Sequence, residues 1–204
     1  MGAYDIDWEN RERVGFWKAF AKTWAKIITS PHDFFEAINT ERPSKEPLLF
    51  AITCAISTAL VGALVGFLGY NFIARLAPKA CFVFEFPLLL AVYFLLVLAT
   101  PLLIVSIAAI LHIFVLALGA KADLKTTTAV VAYASATMLF SIIPIAGTSC
   151  AYLYATILII LGLKYTTEIS TLRAVIAVLL LLFLACLVVC LVFLWIVKNF
   201  KILI

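Results

Sequence analysis

The chain has 204 residues, of which 66% are hydrophobic and only 13% are charged, and its formal net charge is +4. A mean hydropathy of +1.18 excludes an ordinary water-soluble domain, because such a domain cannot bury so large an apolar fraction. Apolar runs that are long enough to cross a hydrocarbon core of about 30 Å recur after Pro47. The composition predicts an all-α integral membrane protein, and no nucleic-acid partner is expected.

The N-terminal region, residues 1–46, is predicted to be cytosolic and to contain an amphipathic helix over about 12–29. The predicted membrane-interface residues are Phe16, Trp17, Phe20, Trp24 and Ile27 on an apolar face, and Lys18, Lys22 and Lys26 on a basic face. This pattern is typical of a helix that lies in the headgroup plane, where the lysines meet anionic lipid. The alternative, in which the apolar face packs on the cytosolic ends of the spans, stays open.

A second helix is predicted over about 31–40. Ser30 is a good N-cap residue, Pro31 suits the first helical position, and Asp33 completes an S-x-x-D capping box. The chain is therefore expected to bend at Ser30.

Five transmembrane helices are predicted in residues 47–204, over about 48–70, 86–118, 129–143, 146–163 and 174–197. As a helix the second run would be about 50 Å long, so it must tilt, overhang the bilayer or kink at Pro101. Pro144 and Gly147 suit a tight turn between the third and fourth spans.

The distribution of basic residues predicts the orientation. Most of the 15 Lys and Arg residues lie in the N-terminal region and in the second and fourth loops. By the positive-inside rule these segments are cytoplasmic. With five spans, the N-terminus is then cytoplasmic and the C-terminus lies outside.

Two features inside the spans are candidate sites. Gly62 and Gly66 belong to a column of small residues that lets another helix approach closely, either within the chain or in a homo-oligomer. We favour packing within the chain. His112 is an ionisable residue within a span and so a candidate intramembrane polar site. The simpler interpretation, which we favour, is a hydrogen bond to a neighbouring carbonyl or to a Thr or Tyr of the third span.

Enzyme chemistry is not indicated. The chain has no H-E-x-x-H, P-loop, dinucleotide-binding or C-x-x-C motif. Its five cysteines are scattered through apolar sequence and are interpreted as small hydrophobic residues. We expect no catalytic residue, no metal site and no cofactor.

Several stretches resemble the Yip family of Ypt-interacting membrane proteins, and bacterial members in particular. They are WENRERVGFWKAFAKTWAKIITSPHDFFEAI, EPLLFAI, LHIFVLALGAKADLKTTTAVVAYASATMLFSIIPIAG and ILGLKYTTEISTLRA, which together run from Trp8 to about Val178. The resemblance implies a five-span protein with a cytosolic N-terminus, in a bacterial cytoplasmic (inner) membrane. In eukaryotes the family is linked to Rab GTPases and vesicle traffic.

Two classes of function remain open. The first is a non-enzymatic scaffold or adaptor that organises membranes or recruits partners, with its N-terminal helices contacting anionic lipid and unidentified proteins at the cytosolic face. The second is a transporter of a small solute or lipid, or a scramblase. A solute transporter usually carries ionisable groups inside its spans, and here His112 is the main one. The adaptor hypothesis is therefore preferred.

Overall fold

A computed structural model of the chain describes residues 6–38, 45–76, 86–143 and 146–200. Within these ranges all regular structure is helical, as predicted, and no strand occurs. The helices are α1 Arg11–Val14, α2 Phe16–Thr29, α3 Pro31–Glu36, α4 Glu46–Leu76, α5 Phe86–Ala117, α6 Leu124–Ala134, α7 Gly147–Thr167 and α8 Thr171–Phe200, with a 3-10 helix at Ser135–Ile142.

Three short helices precede the first long one. Gly15 separates α1 from α2 with a φ of 92°, which residues with a Cβ rarely adopt, so the predicted helix over 12–29 is divided there. The chain breaks again at Ser30, and Pro31 begins α3. The Ser30 side chain makes no capping hydrogen bond, unlike in the predicted capping box. Residues 39 and 40 of the predicted second helix lie outside the described residues.

Among the described residues, four helices are long and apolar enough to cross a membrane: Glu46–Gly69, Leu90–Ala117, Gly147–Thr167 and Thr171–Asn199. Helices suit this environment because they satisfy every backbone polar group internally. α4, α5 and α8 contain 31, 32 and 30 residues and are each more than about 40 Å long. Pro101 lies inside α5, which continues through it as a single helix.

The predicted third span, residues 129–143, is divided between the 11-residue α6 and the eight-residue 3-10 helix. Side chains help to explain the tighter winding. Ser135, Thr137 and Ser141 each donate a hydrogen bond to the carbonyl oxygen three residues earlier, at 2.6, 3.0 and 2.5 Å. Such bonds compete with the regular α-helical pattern. α6 alone is too short for a span, so the fifth transmembrane helix is not found as one long α-helix.

The tertiary core lies at the end of the bundle where α4 begins. One cluster of buried residues joins the N-terminal segment to α4, α6 and α7, and it includes Trp8, Phe34, Phe50, Tyr133 and Leu158. A second cluster joins α4, α5, α6, α7 and α8, and it includes Ala51, Ala108, Leu111, Leu163 and Ala174. Beyond these clusters the long helices expose large apolar side chains such as Leu64, Phe94 and Phe193. Exposed apolar surface of this extent is what a lipid environment requires.

Candidate functional site

The inner face of α2 packs on the protein. Phe20 and Ile27 are 9% and 0% exposed and belong to the first core cluster. Trp24 donates its indole N–H to the carbonyl oxygen of Ala136 at 2.9 Å, and its ring contacts Phe140. These three side chains therefore pack on the bundle, which is the arrangement that the sequence left open as the alternative to lipid contact.

The outer face of α2 carries the remaining predicted interface residues. Trp17 is 70% exposed and Phe16 is 44% exposed, and their ring centroids lie 5.1 Å apart. Lys18 and Lys22 are exposed beside them, whereas Lys26 is half-buried. We call Phe16, Trp17, Lys18 and Lys22 the outer strip. It is a small aromatic patch with two ammonium groups on a helix whose other face is anchored to the bundle.

Trp8 also anchors the N-terminal segment, and the sequence analysis did not single it out. It is 1% exposed, its indole N–H donates to the carbonyl oxygen of Glu46 at 2.9 Å, and its backbone N–H donates to Thr23 Oγ1 at 2.9 Å. Its ring lies edge-on to Phe20 and Phe50 at centroid distances of 6.2 and 5.6 Å. One feature of the sequence could have indicated this role: Trp8 is a large apolar residue that precedes the predicted helix and does not belong to its apolar face.

A polar cluster lies at the same end of α4, and the sequence analysis did not find it either. Arg11 forms an ion pair with Glu46, and its guanidinium group lies 5.0 Å from the centroid of the Trp8 ring. Tyr133 donates its hydroxyl to Glu9 Oε1 at 3.3 Å. These contacts connect residues that are far apart in the sequence, which is why no local pattern revealed them.

α3 packs along α7. Phe35 is 1% exposed, and a Cβ built on Gly162 would lie 3.0 Å from its ring and 2.5 Å from Val130 Cγ1. The hydroxyl of Tyr154 donates to the carbonyl oxygen of Ile28 at 2.7 Å. α3, α6 and α7 therefore meet at Gly162, where only a hydrogen atom fits.

The predicted helix-packing site lies against α5. A Cβ on Gly62 would be 2.8 Å from the hydroxyl oxygen of Tyr93, so this glycine has a neighbour within the chain. Gly66 is half-buried on the same helix. The structure thus supplies an intramolecular contact at Gly62, and the role of Gly62 and Gly66 in packing within the chain or in a homo-oligomer stays a prediction.

His112 is half-buried, and its Nδ1 lies 3.0 Å from Thr127 Oγ1. Thr127 belongs to α6 and is itself buried. The partner threonine lies just before the predicted third span, and a functional role for His112 stays a prediction. The contact pairs a polar side chain that would otherwise be costly within a membrane.

The polar side chains in the interior of the described bundle are of one kind. The buried polar residues in the described ranges are serines and threonines, and none is charged. Several donate to carbonyl oxygens of their own helix, as Thr166 does to Gly162 and Thr167 to Leu163, at 2.7 and 2.6 Å. Among the residues that the structure describes, no cluster of His, Cys, Asp and Glu could hold a metal ion. Cys81 lies outside those residues.

The comparisons with known proteins bear on this arrangement. No curated protein and no solved structure matches the chain. A family model, the Yip1 domain, matches residues 25–194, which covers α3 to α7, the last five residues of α2 and most of α8. Together with the apolar helices, this match shows that the chain is an integral membrane protein that belongs to the Yip1 domain family.

Proposed function

We propose that the chain is a non-enzymatic membrane adaptor of the Yip type, whose N-terminal helices hold the outer strip in place for contact with lipid and with a protein partner. The observation that carries this proposal is the anchoring of α2. Phe20 and Ile27 are buried in the core while Trp17 on the same helix is 70% exposed. A surface aromatic on a fixed helix is suited to recognition, because little side-chain or backbone freedom is lost when it binds.

Transport of a charged solute is not favoured. The buried polar side chains of the described part are hydroxyls, several of which hydrogen-bond within their own helices, as Thr100 does to Leu96 at 2.8 Å. A path for ions or charged solutes usually requires ionisable groups inside the spans.

We propose that the bundle crosses the membrane five times, with α6 and the 3-10 helix together forming the third span. The basic N-terminal region then lies in the cytoplasm and the C-terminus outside, in a bacterial cytoplasmic membrane.

Cysteine labelling tests this topology in whole cells. Single cysteines replace Lys45, Asp123 and Glu168 in a cysteine-free background, and all three positions are exposed in the structure. An impermeant maleimide should label none of them until the cells are permeabilised. A cysteine at Lys201, outside the described residues, should be labelled in intact cells. Protection of Lys201 together with the other three would require an even number of spans.

We propose that the outer strip touches the headgroup region of anionic lipid. Tryptophan rings prefer that region, and each lysine near an anionic surface contributes about 1 kcal/mol. Both Lys18 and Lys22 are exposed, although Lys22 Nζ also lies 3.4 Å from an oxygen of Asp7. Because Phe20, Trp24 and Ile27 pack on the bundle, the lipid contact of α2 is smaller than its whole apolar face.

Quenching by brominated lipid tests this contact with the full chain in vesicles. The signal of Trp17 is the difference between the wild type and Trp17→Phe. Lipids brominated near the headgroup should quench it, more strongly in anionic than in neutral vesicles, and Lys18→Glu with Lys22→Glu should remove that difference. Trp195, 67% exposed near the other end of the spans, is the internal control. Lipids brominated near the headgroup should quench it to the same extent whether or not Lys18 and Lys22 are replaced. Quenching of Trp195 without quenching of Trp17 would place the outer strip in water.

A photo-crosslinking amino acid at Ala21 tests the adaptor role, because Ala21 is exposed between the two lysines of the outer strip. The expected product in cells is a discrete protein adduct that Trp17→Ala abolishes. The same amino acid at Ala185, exposed on α8, is the control for proteins that merely share the membrane. A discrete adduct of the chain with itself would identify the partner as a second copy. Acceleration of lipid or solute movement by the purified protein in liposomes would overturn the adaptor proposal.

A further inference from the structure

The outer halves of α4 and α5 enclose a groove that the adaptor role does not use. Its volume is about 330 Å³, within the range of small-molecule sites. Part of its lining on α4 consists of two small side chains, Ala59 and Ala63. Its most exposed lining residues are Leu60 on α4 and Phe94 on α5, at 68% and 67%. The groove is open to the side and almost wholly apolar.

The groove lies within the apolar part of both helices. On α4 it runs from Ile56 to Ala63, a length of about 10 Å, inside the apolar stretch Glu46–Gly69. On α5 it is lined from Leu90 to Val97, inside the apolar helix that begins at Phe86. It therefore faces hydrocarbon, in the leaflet farther from the N-terminal helices.

Tyr93 contributes a polar atom at the outer end of the groove. Its hydroxyl oxygen lies over the bare backbone of Gly62, 2.8 Å from where a Cβ would be. No residue in the described part of the chain accepts a hydrogen bond from this hydroxyl. An unpaired hydroxyl within a membrane is unfavourable. α5 has 32 residues and is about 18 Å longer than a hydrocarbon core, so with this excess shared between its two ends the core begins about 9 Å from Phe86, close to Tyr93. At that depth the ester carbonyls of glycerophospholipids are within reach of a tyrosine.

We infer that this groove binds one acyl chain of a glycerophospholipid, with the Tyr93 hydroxyl donating a hydrogen bond to the lipid's ester carbonyl. The length and apolar lining fit an unbranched chain, whereas a partner helix would need a seam of several turns. The hydroxyl over Gly62 gives the site a polar recognition point that the exposed face of α8 does not offer in the region of Phe183 and Val189. The inference depends on α4 and α5 alone, so it can fail or succeed separately from the adaptor role.

The test uses the full-length protein, extracted from liposomes that contain phosphatidylglycerol with a diazirine on one acyl chain. Native mass spectrometry in mild detergent should show one retained lipid, and photolysis should attach it to α4 or α5 near Phe94. Ala63→Leu should reduce both signals at least fivefold by filling the groove. Tyr93→Phe keeps the shape of the groove and should reduce retention severalfold while leaving photolysis in the intact bilayer nearly unchanged.

Ala185→Leu on the exposed face of α8 is the matched control and should change neither signal. The inference would be overturned if the groove and the α8 surface were photolabelled equally and no lipid were retained in detergent. That result would mean that the groove has only ordinary contact with bilayer lipid. A crosslinked dimer lost in Ala63→Leu would replace the lipid with a second copy of the chain. Thermal unfolding of each variant in detergent shows whether it is folded, and an unfolded Ala63→Leu is replaced by the smaller Ala59→Val.

Discussion

Replacement of Gly162 by alanine tests the three-helix junction that holds the N-terminal unit on the bundle. The added methyl carbon would lie 2.5 Å from Val130 Cγ1 and 3.0 Å from the Phe35 ring. Real methyl groups do not approach so closely, so α6 or α3 must move. Overpacking of this kind costs about 1–3 kcal/mol. Because alanine favours a helix over glycine by about 1 kcal/mol, the net loss is up to about 2 kcal/mol, and the whole overpacking cost appears in the comparison with a glycine that has free space.

Two further variants separate the contact from helix propensity. Gly69→Ala is the matched control, because nothing lies within 4 Å of its built Cβ, and it should be neutral or slightly stabilising. Val130→Ala combined with Gly162→Ala removes the methyl group responsible for the closest contact and should recover part of the loss. The double variant also loses a buried side chain, so recovery will be incomplete.

The assay is thermal unfolding in detergent, followed by the reaction of a maleimide with Cys54. This thiol is 0% exposed in the folded chain and becomes reactive when the core opens. The remaining cysteines are replaced by serine or alanine so that Cys54 alone reports. A lower midpoint for Gly162→Ala than for Gly69→Ala is expected. Equal midpoints would show that α3 is not packed on α7 as the structure has it, and the argument for a fixed outer strip would then lose its support.

Three smaller changes test other contacts of the N-terminal unit and of α4 in the same assay. Arg11→Glu should lower the free energy of unfolding by about 1–3 kcal/mol, because a charge-assisted hydrogen bond to Glu46 is lost. Adding Glu46→Arg should restore part of that stability. No recovery in the double variant would mean that the ion pair is not formed. Trp24→Phe keeps an aromatic side chain but removes the indole N–H and part of the contact with Phe140, so a loss of at least about 0.5–1.5 kcal/mol is expected. An unchanged midpoint would contradict the hydrogen bond. Gly62→Leu should displace α5 and lower the midpoint; a stable monomer that only fails to crosslink as a dimer would assign this glycine to an oligomer contact instead.

The class of the protein and its main helices follow from local sequence. Apolar length alone locates α4, α5 and α8, because a helix in hydrocarbon needs about 20 apolar residues whatever its neighbours are. The break at Ser30 and Pro31 is equally local, since proline constrains its own backbone and disfavours a helical conformation in the preceding residue. The amphipathic character of α2 is visible for the same reason, as it depends only on a spacing of 3.6 residues per turn.

The sequence of α2 does not show whether its apolar face is covered by lipid or by the rest of the protein. Periodicity shows that Phe20 and Ile27 share a face, but lipid and a protein core are both apolar, so the pattern is the same for either. The tertiary structure brings in partners from distant segments: the carbonyl oxygen of Ala136 for Trp24, and the start of α4 for Trp8.

The winding of the 3-10 helix was also beyond the sequence analysis. The residues of the predicted third span are apolar enough for an ordinary helix, and only the hydrogen bonds of Ser135, Thr137 and Ser141 to carbonyls three residues earlier reveal the tighter geometry. The same holds for the hydroxyl of Tyr93 over Gly62, two positions whose separation in the sequence hides their contact. Local sequence determines which segments are apolar helices, because that depends on each residue's own transfer free energy. The tertiary structure decides which of their faces meet, because that depends on shapes and hydrogen-bond partners supplied by other segments.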